Sequence, residues 1–228
     1  MRRFWKDARA VRGESGWRIE LDGRPVKTPA RADLLLPTAD LAEAIAAEWA
    51  DSGDTIDPRA MPLTGFANAA IDRVGPDPQT FAAGLARYGE TDLLCYRAES
   101  PPPLVERQEA AWGPLLAWAR RRYDVDFEVT AGILHTPQPP ATVDRLAHAV
   151  AALDPFRLAA LSPLVTIGGS LVAALAVAEE AVSAEEAWEA APHRESHGVV
   201  HRSRRSFASS LWNRCSPASR RGERRPRS

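Results

Sequence analysis

The chain has 228 residues with 45% apolar and 26% charged side chains, enough to bury a core in one large or two small domains. Its net charge of −1 hides an asymmetry: residues 192–228 carry ten Arg, no Lys and two Glu, while residues 1–191 carry 19 basic and 28 acidic side chains. The apolar content supports a real core, and the two cysteines, Cys95 and Cys215, lie far apart in different compositional zones, which argues against a disulfide framework and points to a reducing compartment.

The N-terminal stretch MRRFWKDARAV has no apolar run of the secretory kind. The first 36 residues read as strands. Trp17, Ile19 and Leu21 alternate with Arg18 and Glu20, and Asp22-Gly23 is a two-residue hairpin signal because both central positions need positive φ. Val26 and Thr28 continue the return strand, and Leu34 to Leu36 offer another. Helices dominate after Pro37. Leu41, Ile45 and Trp49 form one stripe behind a Thr38 or Asp40 cap. Leu63, Phe66, Ala67, Ala70, Ile71 and Val74 form a second, and Asp77-Pro78 opens a third helix that Gly89 stops. Asp92 to Ala98 reads either as a short strand or as a helix end.

Ser100-Pro101-Pro102-Pro103 is the expected boundary between two lobes. The helix beyond it carries Leu104, Gln108, Ala111, Trp112, Leu115 and Ala119, and Pro114 is expected to kink it or begin a new one. Asp126 to Thr130 alternates briefly. Val143, Leu146, Ala147 and Val150 mark a further helix. Leu158 to Ala178 is 21 residues without a charge, long enough to span a bilayer. Ser162-Pro163, Thr166 and Gly168-Gly169-Ser170 interrupt it, so a turn at Pro163 between two buried helices is predicted instead. Ala184 to Ala191 closes the ordered part, with Ser183 and Glu186 as a capping box. The expected organisation is a β-rich lobe with helices over 1–100, a helical lobe over 101–191 and a basic, disordered tail over 192–228. The fold class is α+β.

Candidate chemistry is sparse. Gly168-Gly169-Ser170 lacks the Lys of a phosphate loop, and Ser170 as the nucleophile of a small hydrolase or transferase lacks a recognisable His partner. Asp22, Asp72 and Asp92 are read as turn, helix-end and capping residues. His193, His197 and His201 would share one helix face, but Pro192 and Gly198 argue against a helix there. The Arg-rich tail suits nonspecific polyanion contact and offers no groove-reading element, which leaves a nucleic-acid-associated protein as a further alternative. No catalytic residue, metal or cofactor is assigned.

The ordered blocks carry more. LDGRPVKTPA, LPTADLAEAIAAEWA, IDPRAMPLT with NAAID, and above all Tyr88 to Ala98, YGETDLLCYRA, stand in series. Behind them come Gln108, Trp112, Pro114-Leu115-Leu116, Trp118, Thr130-Ala131-Gly132-Ile133, Gln138 and Glu186-Ala187-Trp188. The series resembles the assembly chaperones of the F-type ATP synthase catalytic head, the Atp12-type family that handles the alpha subunit, over residues 2–191. The resemblance implies a chaperone that is not an enzyme and needs no cofactor. It would act as a monomer, without membrane insertion or specific nucleic-acid binding, and hold free alpha subunit until beta replaces it. Its place would be the bacterial cytoplasm, or the mitochondrial matrix in a eukaryote. Trp49, Trp112, Trp118 and Trp188 are expected mainly in the core. The family's acidic, Trp-containing C-terminal segment is replaced here by His193-Arg194-Glu195-Ser196-His197-Gly198, where only Glu195 matches the acidic position. Trp188, Glu189 and Glu195 are the resulting partner-contact candidates.

Overall fold

The structure, a computed structural model, describes residues 2–190. Strands β1 (Ala8–Gly13), β2 (Gly16–Leu21) and β3 (Arg24–Pro25) form an antiparallel sheet in that order. Asp22 and Gly23 both take positive φ, 49° and 78°, as the tight β2–β3 turn requires. The return strand is shorter than predicted. Pro25 has no N–H to extend the ladder, and Arg31 (φ 68°) turns the chain back after Thr28. The Val26 N–H still donates to the Ile19 carbonyl at 2.8 Å, and isolated bridges, Lys27 with Asp33 and Trp17 with Leu36, continue the pairing.

Helix α1 (Ala39–Asp51) starts where Thr38 Oγ1 accepts from the Leu41 N–H at 3.3 Å. Its Leu41 and Ile45 are fully buried, as is Ile19 of β2, and α1 lies against β1 and β2. Trp5, also buried, meets Trp49 edge-on at 5.1 Å and donates its indole N–H to the Trp49 carbonyl. Helix α2 (Pro62–Ala69) has no capping side chain of its own. Glu48 of α1 supplies one, accepting from the N–H groups of Leu63 and Thr64 at 2.6 and 2.8 Å and from the Thr64 hydroxyl. The predicted apolar stripe runs on to Val74 through a π-helical turn, Ala70–Val74.

The described residues divide into two compact units, 2–76 with 155–159, and 77–154 with 160–190. The predicted boundary at Ser100 to Pro103 therefore falls inside the second unit. Those prolines start a helix: α4 (Pro102–Tyr123) has Pro at its first position, where a missing N–H costs no bond. Pro114 does not break α4. Gly113 precedes it, and without a Cβ the clash that drives a pre-proline residue out of helical geometry is reduced. Buried Trp112, Leu115, Leu116 and Ala119 hold the helix on both sides. Against α4 lie α7 (Leu171–Ala178) and α8 (Ala184–Ala190), and α3 (Pro78–Ala86) packs on α5 (Pro140–Ala151). The segment after Asp92 is both of the alternatives offered by its sequence. A 3-10 turn over Leu93–Cys95 leads into β4 (Tyr96–Arg97), which pairs in parallel with β5 (Thr130–Ala131).

The long uncharged run is also divided, but not at Pro163. Helix α6 (Pro155–Gly168) continues through Pro163 and ends at Gly169, which takes φ 67° and donates to the Val165 carbonyl. Ser170 then caps α7, its Oγ accepting from the Ala173 N–H at 3.0 Å. A residue able to adopt positive φ followed at once by a strong N-cap ends one helix and starts the next more decisively than one proline stops either. No helix among the described residues is long and apolar enough to cross a membrane. The predicted tail lies outside the described residues.

Candidate functional site

Each candidate for chemistry among the described residues has a structural role. Asp22 accepts from the N–H groups of Lys6 and Asp7, which hold its carboxyl below the usual range. Asp72 accepts from the Ala30 N–H at 3.0 Å. Asp92 is fully buried, and its two oxygens accept from the N–H groups of Leu94 at 3.0 Å and Val172 at 2.9 Å. Burial pushes its pKa up to about 6 against the opposing pull of Val172, of the Ser170 hydroxyl and of Leu94. Asp92 therefore caps the 3-10 turn and α7 together. Ser170 is buried with its hydroxyl in that network, so the geometry gives no support to a nucleophile on the Gly168-Gly169-Ser170 turn. Gly169 is required there twice over, because a Cβ would come within 2.3 Å of Leu93 Cδ1 in addition to the positive φ. Cys95 is buried, and its thiol is pushed up to about 12 by desolvation and then by Asp92, which leaves it unreactive. Among the described residues no group of three or more His, Cys, Asp or Glu is placed to hold a metal. His193, His197 and His201 lie outside the described residues.

What the second unit does present is surface. The Asp92 network anchors the start of the segment that carries β4, and β4 in turn fixes the loop after β5. The Gly132 N–H donates to the Arg97 carbonyl at 2.8 Å, and Tyr96 Oη meets His135 Nδ1 at 3.1 Å. Between these anchors Ile133 and Leu134 stand 94% and 81% exposed. A short, tied loop thus holds two branched aliphatic side chains in water, where burial against a partner would be worth roughly 1.5–3 kcal/mol each. Beside the loop lies a groove of about 600 Å³ whose walls include Leu93, Tyr96, Arg97, Gln108, Trp112 and Ile133. Gln108 braces it by accepting from the Ala98 N–H at 2.7 Å.

Trp112 is buried, as expected, yet it also lines this groove. The Arg97 guanidinium sits over its ring, 5.0 Å from the centroid. The Trp112 indole N–H donates to the Ala190 carbonyl, which ties the end of α8 to α4. The predicted capping box starts α8: Ser183 and Glu186 exchange bonds of 2.7 and 3.1 Å. Trp188 and exposed Glu189 fall on this helix, and Glu195 lies outside the described residues. Trp49 and Trp118 are half-buried. Sequence reasoning missed Ile133 and Leu134 as surface residues. The signal was present in TAGILHTPQPP, an aliphatic pair between a glycine and a proline-rich loop, too short to belong to any periodic element.

The second unit thus combines an apolar surface on a braced frame with polar groups, Asp92 and Ser170, that are engaged as helix caps. The comparisons give the class: it is a chaperone. The chain belongs to the family described as ATP12 chaperone protein, whose family model matches residues 2–120. Its structure resembles the crystal structure of Atp12 from Paracoccus denitrificans with a TM-score of 0.86 at 40% identity, over 94% of this chain and 98% of that one. A mutant of P. denitrificans Atp12p matches with a TM-score of 0.82 at 42% identity, over 92% of each chain. In sequence the chain is 27% identical over 198 residues to the mitochondrial protein atp12 of Schizosaccharomyces pombe, covering 82% of this chain and 68% of that protein.

Proposed function

We propose that this chaperone serves assembly of the ATP synthase catalytic head by binding the free alpha subunit and covering its sticky interface until beta takes its place. The observation that carries the reading is the exposed Ile133–Leu134 pair beside the Trp112 groove. Subunits of obligate complexes bury large apolar interfaces, and an unpaired subunit exposes them to aggregation. A protein that shields such an interface needs an apolar surface of its own and an affinity below that of the true partner, so that exchange runs downhill. It needs neither nucleotide nor a reacting group. Trp188 and Glu189 are further contact candidates, since α8 ends at the wall of the same groove through the Trp112–Ala190 bond. The chain would act as a monomer, in the bacterial cytoplasm or the mitochondrial matrix, wherever the catalytic head is built.

The test is suppression of light scattering by isolated alpha subunit, without nucleotide. Full effect is expected near one chaperone per alpha subunit, with release on adding beta. The double variant Ile133→Ser, Leu134→Ser should keep its unfolding midpoint and lose most of the suppression. A stable complex of all three proteins would contradict competition for one surface.

A further inference from the structure

We propose that a second groove of the same unit, beside Arg97 and Arg120, docks a partner segment that carries a carboxylate among apolar side chains, and that Arg97 reads that carboxylate. The inference rests on the reading of this unit as client-binding and adds the chemistry of the segment bound. The groove, about 410 Å³, is lined by Arg97, Glu109, Gly113, Leu116, Arg120 and Val129 among others. Two arginines thus line the groove with one carboxylate, Glu109, whose side chain is 72% exposed, and the Arg120 guanidinium sits over the Phe127 ring, 5.8 Å from its centroid.

Arg97 is the unusual member. Its side chain is only 10% exposed, and burial pulls its pKa down, the Glu109 charge acting the other way. Nη1 donates to the Gln108 carbonyl at 3.2 Å. Nη2 is 3.6 Å from the Glu109 carboxylate, beyond a hydrogen bond, and buried Nε has no acceptor among the described residues. The Nε–Nη2 edge is the one that a carboxylate spans with two parallel N–H···O bonds. Trp112 beneath the guanidinium and the β4–β5 pairing hold that edge in place. An arginine desolvated, oriented and left without a full partner is poised for an incoming anion.

Glu109 is a loose internal substitute for it. Its carboxylate lies over Gly113, where a Cβ would come within 2.7 Å of Oε1, so glycine leaves the space in which the Glu109 carboxylate rests. Half-exposed Val129 and buried Leu116 supply apolar wall and floor. A single carboxylate suits the site better than a polyphosphate, because residues 1–191 together carry a net charge of −9 that repels a polyanion.

The experiment is fluorescence anisotropy of the full chain with two labelled probes, acetyl-Ala-Leu-Glu-Leu-Ala-amide and its Gln counterpart, at low salt. The Glu probe should bind at least tenfold tighter. Arg97→Gln and Arg120→Gln should each remove most of that preference, and Glu109→Gln, an exposed change that leaves the fold intact, should tighten the Glu probe about threefold. Equal binding of the two probes, or a preference unchanged in both arginine variants, overturns the proposal. So does displacement of the Glu probe by a dT20 oligonucleotide that binds tighter than the probe itself. Because alpha subunit is absent, failure here leaves the alpha-binding reading standing. Loss of alpha binding with the probe preference intact would count against that reading alone.

Discussion

Asp92 joins an unfavourable burial to four helpful donors, and the balance can be measured by titrating stability. The perturbation is Asp92→Asn, similar in shape and neutral at every pH. Burial raises the native pKa from 3.8 to about 6. The sign follows from linkage. A carboxyl that binds its proton more tightly when folded contributes stability that is fully present below the unfolded pKa and is lost as pH rises through the folded one. The whole effect is about 3 kcal/mol at ~1.4 kcal/mol per pKa unit. Between pH 4.5 and pH 7.5 it leaves a change of about 2 kcal/mol, or a shift of roughly 4–8 °C in midpoint for a chain of this size. Urea unfolding of both proteins across that range is the assay. The wild-type chain should lose stability relative to Asp92→Asn by that amount as pH rises. The absolute offset between the two should favour the wild-type chain, since an amide presents N–H where a second acceptor is needed. A difference that stays flat, or that grows with pH in favour of wild type, would refute the reasoning. It would mean that the four donors outweigh burial.

Trp112→Ala should destabilise by about 3–5 kcal/mol, since the ring is buried and its indole N–H holds the end of α8; a loss under about 1 kcal/mol in urea unfolding would show the ring to be mainly surface. Glu48→Ala should cost about 1–2 kcal/mol by uncapping α2, and Glu48→Gln less, measured by the same unfolding. Gly169→Ala should cost about 2–3 kcal/mol, because the new methyl meets Leu93 and the backbone is left-handed there; a neutral result would mean that the α6–α7 junction adjusts freely.

Much of the local structure was legible without coordinates. Asp22-Gly23 dictates its turn, Thr38 and Asp77 dictate two helix starts, and Ser183 with Glu186 dictates a third, because each signal and its response lie within four residues. The mixed class, a small sheet followed by helices, came from the change of apolar period near Pro37. The functional surface was legible only in outline. The ordered motifs pointed to the family, while Arg97 and Ile133 read simply as members of two of those blocks and Leu134 carried no reading of its own.

What only the tertiary structure decided shares one physical cause: the partner lies far along the chain. Asp92 becomes a double cap because Val172, 80 residues on, brings an orphan N–H to it. Glu48 becomes the cap of α2 because α1 folds back beside it. Pro114 and Pro163 stay inside helices because burial of their neighbours outweighs the single hydrogen bond each removes, whereas propensity alone puts the breaks at those prolines. The two-residue strands β4 and β5 are too short to form by themselves and exist only as each other's partners. Their pairing places an arginine without a full counter-ion beside an apolar loop. A sequence records which donors, acceptors and apolar groups a chain owns, and folding at a distance settles which of them are satisfied and which are left for a partner.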